Sequence, residues 1–447
     1  MTSPPNLTRR ILALAIPALA TLITEPLFTL IDSAMVGHLG TAQLAGLSVA
    51  SQVLATVVVL FIFLAYSTTS LAAQALGRGD QPGALRVGID AMWLAAGLGA
   101  LAAVGMAAGA PFLPELLGAS GEVADHARAY LWACAPGLVG MLVVLAGVGT
   151  FRGLQDTRTP LWIATGGMIF NVAANALFIY GFGMGVAGSG LGTTCAQLAM
   201  AAIVCALVGR SARQLGVGLR PSGSGILTAA GQGAPLIVRG LALRIAGLAT
   251  LWPVARLGAD AVAAYQVVLV MWMLAAFILD ALAIAAQSMV GMAQGAGDKG
   301  ELRALLRVLT QWGLWAGVAV GVVIAALSPW VPLAFGGNPT MWGLATVALL
   351  ACCVGMPLGG VVFLLDGVLL GAGDNRYFAW AGIVQLAVYL PALALLEVAR
   401  SAGASDVAIV AGVWLVYSLV YMVARTVSNV WRTWFSAAAL VPREEKV

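Results

Sequence analysis

Arg152-Gly153-Leu154-Gln155-Asp156-Thr157-Arg158 closes one apolar run and opens the next, and 218 positions later the chain repeats the device as Gly371-Ala372-Gly373-Asp374-Asn375-Arg376. The same offset relates Pro17 to Pro235, Leu39-Gly40 to Leu257-Gly258, and Gly79-Asp80 to Gly297-Asp298. One ungapped offset that aligns four separate signatures marks a duplicated unit. Between the signatures the sequence is almost continuously apolar, in segments near residues 9–36, 44–76, 82–112, 122–150, 158–181, 187–210, 227–254, 261–295, 300–328, 339–370, 376–399 and 405–431. Each can cross a hydrocarbon layer, which takes about 20 helical residues. The expected fold is an all-α integral membrane protein with twelve transmembrane helices in two pseudo-symmetric six-helix lobes.

Composition agrees. Of 447 residues, 61% are hydrophobic and 9% charged, against about 25% charged in soluble domains. A soluble enzyme is excluded, and twelve spans of about 20 residues leave little for a separate soluble domain. The stretch 211–226, with Arg220-Pro221-Ser222-Gly223-Ser224-Gly225, reads as a cytoplasmic linker between an N-lobe of residues 1–210 and a C-lobe of residues 227–447. Six spans per half make the repeats parallel, the plan by which many transporters build two lobes around a midplane site. With the N-terminus inside, sixteen Lys and Arg residues, Arg443 and Lys446 among them, fall on the cytoplasmic side. Three (Arg128, Arg256, Arg400) fall outside and three (Arg239, Arg244, Arg425) in spans. That bias places both termini in the cytoplasm of a cell with an inner or plasma membrane. The first helix lacks a cleavage site and is expected to be retained. The net charge of +4 reflects this topology and gives no reason to expect nucleic acid as a partner. Five scattered Cys and two His suit neither a disulfide framework nor a structural metal site.

Ionisable residues inside spans are costly and therefore candidates for function. The first helix holds Glu25 and Asp32 around Pro26. Counting along the helix puts Glu25 roughly 24 Å and Asp32 roughly 34 Å from Arg9. Pro26 cannot donate to the Leu22 carbonyl, so a hinge is expected there. A carboxylate beside such a hinge can serve as a proton switch; its alternative role is to cap the helix end. On the fifth helix Asn171 and Asn175 share a face at i and i+4, and the sixth begins Gly192-Thr193-Thr194. These polar groups either join a site with Asp32 or act as interhelical glue. In the second half Asp280 lies at a depth bracketed by Arg239 and Arg244, so a pair is expected that either neutralises buried charge or touches substrate. Asp90 and Asp366 fall near cytoplasmic ends and are expected to be solvated. Gly295-Ala296-Gly297-Asp298 and Gly371-Ala372-Gly373-Asp374 look like the Gly-x-Gly-Asp signature of intramembrane proteases. Their recurrence at cytoplasmic helix ends is explained by a Gly that ends one helix and an Asp that caps the next. Phosphate-loop, Gly-x-Ser-x-Gly and His-Glu-x-x-His motifs are absent from the sequence, so the chain reads as neither an ATP-driven pump nor an enzyme.

The stretch from Glu25 to Gly40, EPLFTLIDSAMVGHLG, resembles the first-helix motif of multidrug and toxic compound extrusion (MATE) transporters, in the DinF-like branch. The repeated Gly-Asp loops and Arg152-Gly153-Leu154-Gln155-Asp156-Thr157 match as well. The resemblance implies antiport: export of small organic, often cationic or amphipathic compounds against entry of H+ or Na+, with no cofactor. It also implies a cation-coupling site at Asp32, Asn171, Asn175 and Thr193, the positions that match the family's pattern. This chain departs from the pattern at Asn175, where some relatives carry a second Asp, and at Thr250, the counterpart of Asp32 in the second half. With one carboxylate, H+ is the expected coupling ion and Na+ at the Asp32 site the alternative. The chain is expected to act as a monomer in contact with membrane lipid. The alternative function is a flippase for lipid-linked or polysaccharide intermediates, for which Arg239 and Arg244 would meet phosphate.

Overall fold

The computed structural model describes residues 5–436 and Leu440; Arg443 and Lys446 lie outside them. The spans are α1 (Pro5–Gly37), α2 (Thr41–Gly77), α3 (Gln81–Gly109), α4 (Gly121–Cys134 continued by Gly137–Gly153), α5 (Arg158–Gly181) and α6 (Gly185–Gln214). The second half repeats them as α7 (Gly223–Leu251), α8 (Ala259–Ala296), α9 (Lys299–Leu327), α10 (Pro339–Cys353 continued by Met356–Ala372), α11 (Asn375–Ser401) and α12 (Asp406–Phe435). All twelve coincide with the apolar segments of the sequence. The protein is a multi-pass membrane protein with the expected twelve-helix architecture.

The duplicated loops are built as caps. Asp80 accepts a hydrogen bond from Gly83 N and Asp298 one from Glu301 N, each at 2.8 Å. Asp156 accepts from Arg158 N and Thr159 N at 3.0 Å. Asp374 departs from this pattern: its carboxylate holds Arg432, whose guanidinium also lies 4.9 Å from the Tyr377 ring centre. The preceding position needs a left-handed backbone, which Gly373 adopts at φ 78° at little cost. In the first half Gln155 takes it at φ 64°.

Two features of the spans are not visible in hydropathy. α4 bends by 56° and α10 by 53°, at breaks 219 positions apart, one more than the offset of the repeated loops. At the first bend Pro136 cannot donate to the helix ladder, and Thr194 of α6 donates to the Ala133 carbonyl at 2.7 Å. At the second, Ser418 of α12 lies 3.3 Å from the Cys352 carbonyl. Carbonyls opened inside an apolar layer need such donors, because lipid supplies none.

The chain forms two compact units, Ile16–Ala234 in one and Met1–Ala15 with Pro235–Val447 in the other. The division between these units falls inside α1 and α7. The start of α1 belongs with the second half, and the linker with the first turns of α7 belongs with the first. Leu7, Ile11 and Leu14 at i, i+4 and i+7 put one stripe of α1 into a core with Met289, Leu305 and Leu365. Arg10 Nη1 meets Glu301 Oε1 at 3.0 Å. Reciprocally, the linker is bound to α3. Asp90 is 3% exposed; it accepts from Ser222 N at 2.8 Å and from Arg86, whose Nη1 also donates to the Gly218 carbonyl. Asp90 is thus a buried anchor, where the sequence suggested a solvated acid. Both crossings fall next to the repeated prolines, Pro17 and Pro235.

Candidate functional site

α1 runs as one helix through Pro17 and Pro26. It brings Asp32, 5% exposed, against α5 and α6. Asn175 Nδ2 donates to Asp32 Oδ1 at 2.9 Å and to Asn171 Oδ1 at 3.0 Å. Asn171 Nδ2 in turn reaches Thr193 Oγ1 at 3.4 Å. The four residues that the sequence placed together are therefore one connected, buried network. A fifth member, Ser189, donates from Oγ to Asp32 Oδ1 at 2.5 Å and is 0% exposed. Sequence reasoning missed it, although Ser189 stands four residues before Thr193 and so on the same face of α6. Tyr130 of α4 adjoins Thr193 and Cys134 and closes the network on that side. Beyond Asp32, Tyr180 at the end of α5 donates to the Met35 carbonyl at 2.7 Å and pins α1 one turn further along. Glu25 and Pro26 lie on the exposed face of α1, outside this network.

The network forms because α6 can come close to its neighbours. Gly188 and Gly192, four apart on one face, let the α5 backbone approach, the arrangement by which membrane helices pack without a hydrophobic drive. A Cβ on Gly192 would lie 1.9 Å from Asn175 Oδ1, and one on Gly188 would lie 2.8 Å from the Phe178 carbonyl carbon. Gly192→Ala is therefore expected to push Asn175 off Asp32, at about 1–3 kcal/mol of overpacking, and to slow transport. Unfolding temperature and vesicle transport of the variant check this; native values for both would mean that α5 yields without cost.

The second half has kept the positions and lost the acid. Thr250 stands 218 positions after Asp32, and Tyr389 the same distance after Asn171. Their hydroxyls meet at 2.9 Å, both side chains buried. The charge of this unit sits elsewhere. Asp366 of α10, 7% exposed, receives Arg239 Nη2 and Arg425 Nη2 on Oδ2, each at 2.5 Å, and Asn429 Nδ2 on Oδ1 at 2.7 Å. Arg239 also lies over the Phe378 ring at 4.5 Å, and Arg425 lies 5.7 Å from the Tyr421 ring centre. One expectation changes here: Asp366 is buried and ion-paired with Arg239 and Arg425 rather than solvated. Arg244 is exposed on α7 and Asp280 is half-buried on α8.

The MatE family pattern matches residues 17–177 and again residues 235–396, two copies whose starts are 218 positions apart. Among curated proteins, the chain is 28% identical over 435 residues to Protein DETOXIFICATION 44, chloroplastic, of Arabidopsis thaliana, covering 94% of this chain and 81% of that protein. It is 29% identical over 372 residues to DNA damage-inducible protein F of Escherichia coli, covering 80% of this chain and 79% of that one. Among solved structures, the Vibrio cholerae MATE transporter VcmN in its bent form superposes with a TM-score of 0.84 at 20% identity, over 95% of this chain and 94% of that one. With both halves matched by one pattern and the duplication visible in its own loops, the chain belongs to the MatE family of multidrug efflux transporters.

Proposed function

We propose that this chain is a proton-coupled antiporter that exports small organic, cationic or amphipathic compounds across the cytoplasmic membrane, with both termini inside and Asp32 as the coupling group. The observation that carries this reading is what Asp32 faces. Its Oδ1 meets an amide N–H from Asn175 and a hydroxyl from Ser189. Na+ trades its hydration shell for oxygen lone pairs, and donors aimed at the carboxylate oppose that exchange, whereas a proton needs the carboxylate alone. Protonation would cancel the charge that the two donors hold, loosening α1 from α5 and α6 and letting it repack near Pro26. The flippase reading is set aside: the chain matches the MatE pattern, and Arg239, assigned to phosphate in that reading, is held by Asp366.

The test is efflux of ethidium from vesicles containing the purified protein, driven by an imposed pH gradient or an imposed Na+ gradient. The pH gradient is expected to drive export and the Na+ gradient to be ineffective. Asn175→Asp, which replaces a donor by a second carboxylate, is expected to introduce Na+ dependence. Tight Na+ binding by the native chain, unchanged in Asn175→Asp, would overturn the proton assignment.

A further inference from the structure

We propose that Ser189 is the positioning residue of the coupling carboxylate: its hydroxyl holds Oδ1 of Asp32 against α6, leaves Oδ2 as the oxygen that takes the proton, and favours the ionised form. The proposal rests on the reading of Asp32 as the coupling group and adds to it the residue that sets the pH at which the group loads.

Three observations carry it. The first is how this hydroxyl is used. Ser and Thr in membrane helices ordinarily return their hydroxyl to the carbonyl four residues back, as Ser67, Thr69, Thr150 and Thr250 do here. Ser189 instead donates across to another helix, 157 residues away in sequence, at 2.5 Å. The second is convergence. Among the described residues, both donors to Asp32, Ser189 Oγ and Asn175 Nδ2, meet the same oxygen, Oδ1. Hydrogen bonds to a charged acceptor are shorter and stronger than neutral ones, so the pair favours the carboxylate over the carboxylic acid. The third is burial. Ser189 is 0% exposed and Asp32 5%, so the hydroxyl is a donor that water does not replace.

The surroundings leave this role to Ser189. α5 and α6 present the neutral side chains Asn171, Asn175, Ser189 and Thr193. From α4, Tyr130 and Cys134 face Asp32, and the ordinary ionisation ranges of both lie above neutral pH. On α1 itself, Glu25 is two turns away on the exposed face. Tyr130 and Cys134 therefore do not titrate where Asp32 would load.

Loading can be read without transport, because dicyclohexylcarbodiimide adds to protonated carboxyls in apolar surroundings. The full-length protein is labelled across a pH series, and modification of Asp32 is located by peptide mass spectrometry. Ser189→Ala is expected to move the labelling midpoint to higher pH by about one to two units, the worth of one hydrogen bond to a charged group. The pH profile of ethidium export should move in the same direction. Ser189→Thr keeps the hydroxyl and should restore the native midpoint. A midpoint unmoved in Ser189→Ala overturns the proposal, and so does a Ser189→Thr protein that behaves like Ser189→Ala, which would assign the shift to packing. Asp32→Asn separates this from failure of the underlying reading: native-rate export by that variant removes Asp32 from coupling, whereas a dead Asp32→Asn beside an unmoved Ser189→Ala removes only Ser189.

Discussion

Asp32→Asn is expected to abolish ethidium export under an imposed pH gradient while leaving a protein that is folded and stable in detergent. The amide has nearly the shape of the carboxylate but cannot take up a proton. It can still accept from Ser189 and Asn175 on its remaining oxygen, so the contacts that dock α1 on α5 and α6 survive in part. The loss should therefore appear in coupling and not in assembly. In the second half Thr250 and Tyr389 offer only hydroxyls at the counterpart positions, so no matching acid stands there to take over. Export by Asp32→Asn at the native rate would end the case for Asp32.

The largest effect on stability is expected at Asp366. Arg239 and Arg425 both donate to its Oδ2, with side chains 13% and 7% exposed. Asp366→Ala would leave two guanidiniums buried without their carboxylate, and breaking a buried pair from one side costs about 3–5 kcal/mol. A fall in thermal midpoint of that size is expected in detergent, together with loss of the Asn429 bond. Adding Arg239→Met to Asp366→Ala should recover part of the loss by removing one stranded charge. Strictly additive losses for that double variant, and likewise for Asp366→Ala with Arg425→Met, would show that the cluster does not act as an ion pair.

The two variants probe different kinds of information. Asp32, Asn171, Asn175 and Thr193 could be picked out before any coordinates. A carboxylate inside an apolar run is conspicuous, two Asn at i and i+4 must share a helix face, and the first-helix motif resembled a known family. Ser189 carried a weaker signal, because a serine among glycines at a helix start suits close packing equally well. Asp366 was misread because counting residues from a helix end gives height in the membrane and nothing about the neighbouring helix. By height, Asp280 suited Arg239 or Arg244, and nothing in height pointed to Asp366. The structure brings Asp366 to Arg239 from 127 residues away and to Arg425 from 59.

The twelve spans, their duplication and the six-plus-six order are written in hydropathy and in one constant offset, because the lipid layer sets the length of every apolar segment and the caps that end them are local. The crossing of α1 and α7 from one compact unit to the other, the bends near Pro136 and Gly355, and the choice of partner for each buried charge are not local. They depend on how each helix is rotated about its axis and how closely its glycines admit a neighbour. Those quantities are settled only when all the helices pack, since inside lipid a polar group gains its bonds from other helices and not from water.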